Sequence, residues 1–135
     1  MLRAIMVVVL MLAIDPAWAG CPPKDYNAPP KIIGLPYPAA RASLIGARFQ
    51  PLLDWERMQH DYSLAAEAWI AETSYFEVQA CSNMGAGECR AHFVDDHRNL
   101  FRIMTKDSST GPMVADAFFV CGREAAKIFW PRDGQ

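Results

Sequence analysis

The chain has 135 residues and a formal net charge of −2, from 13 basic and 15 acidic side chains. A near-neutral, slightly acidic chain has no electrostatic footprint for nucleic acid, and no basic run here would hold an anionic membrane. The length allows one domain, large enough to bury roughly two-thirds of its unfolded surface.

The N-terminal segment reads as an export signal. Arg3 supplies a positive start, Ile5 to Ile14 form an apolar run, and Asp15 and Pro16 break it. Ala17-Trp18-Ala19 then offers the small side chains that signal peptidase needs, so residues 1–19 are predicted to be removed. The run is shorter than the about 20 residues that cross a bilayer, which argues against a retained anchor. No membrane span is expected after cleavage. Gly20-Cys21 resembles the end of a lipobox, although Trp18 stands where a Leu-like residue belongs, and lipidation of Cys21 is the rival reading. The expected location is periplasmic or secreted.

Residues 20–38 carry Pro22, Pro23, Pro29, Pro30, Pro36 and Pro38. Proline fixes φ and removes a donor, so this is an extended arm, with Ile32-Ile33-Gly34-Leu35 as its point of contact with the body. Residues 39–135 are expected to form one domain. Ala39 to Ala47 reads as a helix, with Pro38 in a first-turn position and Tyr37, Ala40, Leu44 and Ala47 on one apolar face. Phe49 to Leu53 can run extended, with Pro51 forcing an edge or a bend. Ser63 to Thr73 reads as a second helix, capped by Asp61 or Ser63, with Leu64, Ala65, Ala68 and Trp69 as its apolar stripe.

From Tyr75 the period changes to two. Phe76, Val78 and Ala80 alternate with Glu77 and Gln79, which predicts a half-buried strand. Arg90 to Val94, Leu100 to Thr105 and Val114 to Cys121 read as further strands, separated by a turn at residues 95–99 and a polar turn ending in Gly111-Pro112. Glu124 to Phe129 fits one helical turn or an edge strand. Helices followed by a strand meander, with no βαβ alternation, predict an α+β fold: two helices packed on an antiparallel sheet of three to five strands, the far face partly wet.

The four cysteines are Cys21, Cys81, Cys89 and Cys121. In an oxidising compartment they read as two disulfides, and three connectivities are open. Cys81 and Cys89 are close and joined by a flexible Gly-containing loop, so they pair, and elimination leaves Cys21 with Cys121. The short bridge is worth about 2.5 kcal/mol and the long one about 4.7 kcal/mol in the chain-entropy account. A Cys/His zinc site is the rival, but the spacing offers no CxxC pair.

Chemistry-bearing sets are sparse. His92, Asp95, Asp96 and His97 could ligate a metal, but His92 and His97 need not converge, and a solvated turn accounts for them. His60 with Asp61 is a weaker pair. Glu56, Glu67, Glu72 and Glu77 are carboxylates a hydrolase could use, although acid–base pairs are defined in space and ordinary surface charge explains them. No Gly-x-Ser-x-Gly elbow exists, and no Lys-Ser/Thr follows the loop glycines to make a phosphate loop. Trp55, Tyr62, Trp69, Tyr75 and Trp130 are expected mostly in the core. No catalytic residue, metal or cofactor is assigned. Within the Cys81–Cys89 loop, Asn83, Met84 and Glu88 are the candidate partner contacts, presented on a base held by the disulfide.

Two segments resemble a group of small, uncharacterised exported proteins of Gram-negative bacteria. One motif is Tyr-x-x-x-Arg-x-x-Leu-Ile followed by Gly-Trp-x-Pro, read here as Tyr37, Arg41, Leu44, Ile45 and then Arg48-Phe49-Gln50-Pro51. The other is Glu-Val-x-x-Cys-Ser-Gly-Thr-Gly, three residues, Cys and an aromatic, read here as Glu77-Val78, Cys81-Ser82-Asn83-Met84-Gly85, Cys89 and Phe93. Arg48, Phe49, Asn83 and Met84 depart from the pattern. The resemblance implies an exported protein with a Cys81–Cys89 bridge and adds no chemistry. The expected function is a non-catalytic binding or envelope-associated module, with an envelope protein or small ligand as partner. A small periplasmic hydrolase and a structural part of envelope assembly are the alternatives.

Overall fold

The computed structural model describes residues 23–53, 64–82, 88–122 and 124–125. The export signal, Cys21, the Asp61 and Ser63 caps, the loop centre with Asn83 and Met84, and most of Glu124 to Phe129 lie outside the described residues.

Helix α1 (Tyr37–Gly46) starts on Pro36 with a proline in its first turn, where the missing N–H costs nothing. Tyr37, Ala40 and Leu44 are its buried face, as their spacing predicts. The helix ends without glycine. Arg48 takes the left-handed conformation at φ 68°, while the Phe49 N–H bonds to the Leu44 carbonyl at 2.9 Å and the Arg48 N–H to that of Ile45 at 3.0 Å. This pair of bonds is a Schellman closure, in which that position favours glycine. The motif quoted above has glycine at this point.

After the two-residue strand β1 (Gln50–Pro51) come helix α2 (Leu64–Thr73) and strands β2 (Val78–Cys81), β3 (Cys89–Val94), β4 (Leu100–Lys106) and β5 (Met113–Val120). They form one five-stranded antiparallel sheet in the order β1-β3-β4-β5, with β2 also paired to β3. The α+β class and the antiparallel sheet are thus as expected. The expectation of two packed helices is met in full only by α1, because just five α2 side chains are described. Its described inward residues are Ala66, Trp69 and Ile70. Trp69 belongs to the predicted stripe, whose other side chains, Leu64, Ala65 and Ala68, lie outside the described residues.

Register sorts the sheet's side chains. Ala91 lies opposite Ile103, Phe93 opposite Phe101, and Phe101 opposite Phe119. That face, with Val78 and Val114, packs on Tyr37, Ala40, Leu44, Phe49 and Ile32 to make the core. The Phe49, Phe101 and Phe119 rings meet with centroids 5.0 to 6.3 Å apart, and tilted or edge-on aromatic contacts add about 1 kcal/mol each beyond area. The arm docks through Ile32 and through two main-chain bonds to Val114, from the Gly34 N–H and to the Leu35 carbonyl.

The opposite face is not wet at its centre. His92, Leu100, Arg102 and Val120 are all buried there. Cys81 and Cys89 face each other across β2 and β3 and are joined by a disulfide. Cys121 is also disulfide-bonded, and its predicted partner lies outside the described residues. No helix among the described residues is long and apolar enough to cross a membrane.

Candidate functional site

Strand β2 overturns its predicted alternation. Glu77 is 0% exposed and Gln79 is buried, while Phe76 is on the surface. Val78 is buried as well, so the strand is covered on both faces rather than half-buried. Glu77 is therefore no surface charge. A register shift between Val78 and Ala80 breaks strict alternation, and α1 supplies what makes burial of a carboxylate tolerable. Tyr37 donates its hydroxyl to Glu77 Oε1 at 3.0 Å, and Arg41 Nε donates to the same oxygen at 2.6 Å. Arg41 lies one helical turn beyond Tyr37, so both reach the same strand start. A buried carboxylate with a charged partner and a hydroxyl avoids the cost of an isolated buried charge.

An aromatic box surrounds these groups. The Tyr37 ring meets Trp69 at 5.0 Å and Tyr75 at 5.5 Å between centroids. The Arg41 guanidinium sits 4.8 Å from the centroid of Tyr75, within cation–π range. Burial, reinforced by the charge of Glu77, pushes the Tyr37 hydroxyl well above its ordinary range. Arg41 is the part of the set that reaches water, with 27% of its side chain exposed. Glu77 Oε2 and Gln79 Oε1 accept no hydrogen bond among the described residues.

A second set occupies the other face. Arg102 Nε donates to His92 Nε2 at 2.9 Å, and its Nη2 pairs with Glu124 at 2.6 Å. Accepting from Arg102 requires Nε2 of His92 to carry no proton. His92 thus points across β4, away from the turn that holds Asp95, Asp96 and His97.

That turn is more than a solvated connection, because Asp95 is only 4% exposed. Its Oδ1 accepts from the His97 and Asn99 N–H groups, and its Oδ2 from the Asn27 N–H and the Asn99 amide, all at 2.8 to 3.0 Å. Desolvation raises the Asp95 carboxyl, but the bonds from Asn99, Asn27 and His97 outweigh it and hold the group below its ordinary value. Asp95 thereby ties the arm to the β3–β4 turn. Arg48 pairs with Asp96 at 2.8 Å beside it. Among the described residues, no three His, Cys, Asp or Glu side chains are grouped to hold a metal ion.

Glu72 is exposed at the end of α2, and Glu88 is exposed at the foot of the cysteine loop. Glu56, His60, Asp61 and the Glu67 side chain lie outside the described residues, as do Trp55, Tyr62 and Trp130. Composition and spacing give no sign that Tyr37, Arg41 and Glu77 meet. The signal available is their place in the two quoted motifs. Comparison of the chain with family models, curated proteins and solved structures yields no match to any of them.

Proposed function

We propose that the protein is a non-catalytic binding or envelope-associated module, exported to the periplasm or beyond, with α2 beside α1 over the same sheet face. The observation that carries this reading is the use to which the fold puts its buried ionisable groups. Glu77 fastens α1 to β2, Arg102 crosses the sheet to Glu124, and Asp95 fastens the arm to a turn. Each is engaged in joining elements.

The contact surface in this reading is the Cys81–Cys89 loop, through Asn83, Met84 and Glu88. Its base supports the assignment: the disulfide is reinforced by a Ser82 N–H bond to the Glu88 carbonyl at 2.7 Å. A closed base reduces the entropy lost when a loop orders on a partner. The test replaces Asn83, Met84 and Glu88 together with alanine. Crosslinking capture from envelope extract should be lost while the melting temperature stays nearly constant, since surface changes typically cost within about 0.5 kcal/mol each. A folded variant that captures the same partner as the wild type refutes the assignment.

A further inference from the structure

The Pro-rich arm and the sheet together line a groove of about 480 Å³. Pro29 to Ile33 form one wall, and Phe101 and Ala117 the other. We propose that this groove binds a single-chain anionic amphiphile, with its hydrocarbon tail between the walls and its carboxylate at Lys31.

The occupant's chemistry follows from the lining. Every lining residue but Lys31 is apolar, and the volume lies in the range of small-molecule sites, which are mostly apolar with a few polar groups that orient the ligand. No acidic residue lines the groove, and Lys31 makes no ion pair among the described residues. Its long stem can lie along the apolar wall while the ammonium stays in water. The groove therefore complements a molecule with an apolar body and one negative end.

Two features favour a hydrocarbon over an extended peptide. An added strand needs main-chain donors and acceptors along its length, and Pro29-Pro30 has no N–H to give. Ile33, which lines the groove, is 65% exposed. An acyl chain would cover this apolar surface without requiring hydrogen bonds. No described residue of the cysteine loop lines the groove, so the two assignments can fail independently.

The probe is sodium dodecanoate below its micelle concentration, titrated into the purified full chain and followed by calorimetry and amide NMR. Dodecyltrimethylammonium, with the same tail and the opposite charge, is the control. Dodecanoate should bind saturably, shift the amides of Lys31, Ile33 and Ala117, and bind more tightly than the cation. Lys31→Glu should weaken dodecanoate about three- to tenfold and reverse the preference. Ile33→Ser, which adds no charge, should weaken both ligands, with a thermal melt confirming that this exposed change leaves the fold intact. The triple alanine loop variant should bind dodecanoate as the wild type does. Equal binding of the two amphiphiles, an unaffected Lys31→Glu variant, shifts confined elsewhere, or association only with anionic vesicles would each overturn the proposal. So would the absence of saturable binding.

Discussion

Removing the Glu77 carboxylate separates a buried structural anchor from an ordinary surface charge. In Glu77→Ala the Tyr37 hydroxyl, fully buried, loses its acceptor, and an orphaned buried polar group costs about 1–3 kcal/mol. Arg41, 27% exposed, can turn toward water, so its loss is nearer 1 kcal/mol. Together they predict a destabilisation of about 3 kcal/mol, or about 12 °C in melting temperature for a domain of this length. Glu77→Gln keeps an acceptor for Tyr37 and should lose about half as much. Urea unfolding followed by tryptophan fluorescence measures both. A cycle with Tyr37→Phe should return a coupling of about 1 kcal/mol. If Glu77→Ala changes stability by less than about 0.5 kcal/mol, as exposed positions do, the anchor is wrong.

The raised Tyr37 hydroxyl has a defined pH signature. The folded state keeps its proton above the ordinary value of 10.0 while the unfolded state loses it, so stability should be intact below pH 10 and fall above it, with a shallower fall in Tyr37→Phe when urea midpoints are compared. Asp95 runs the other way. Its folded carboxyl is held below 3.8, so its contribution is present at neutral pH and lost as pH falls below that value; Asp95→Ala should cost about 2 kcal/mol at pH 7 and flatten the acid limb of the stability curve. Arg48→Gly should stabilise, because glycine removes about 1 kcal/mol of left-handed strain at φ 68°, against a smaller loss from the exposed Arg48–Asp96 pair. A melting temperature below that of the wild type would refute this account.

Elements governed by local chemistry were legible without a structure. Pro38, Ala40 and Leu44 announce α1 because helix starts and apolar faces are written in spacing over a few residues. The strands β3, β4 and β5 lie close to their predicted positions, since β-branched and aromatic residues bounded by turn formers report an extended backbone. Cys81 and Cys89 pair as their short separation suggests, and the arm touches the body at Ile32 and Gly34.

What spacing could not report is which faces become covered, and by what. Alternation along β2 places Glu77 and Gln79 outside, but Tyr37, 40 residues earlier in the chain, and Arg41 make burial of the carboxylate favourable. The same holds for His92 and Arg102, whose face was expected to be partly wet, and for Asp95, whose four acceptor bonds include one from the arm at Asn27. The reason is one of range. Periodicity records how a segment divides its own residues between two sides, whereas the burial of a charge depends on whether tertiary contact brings it a partner.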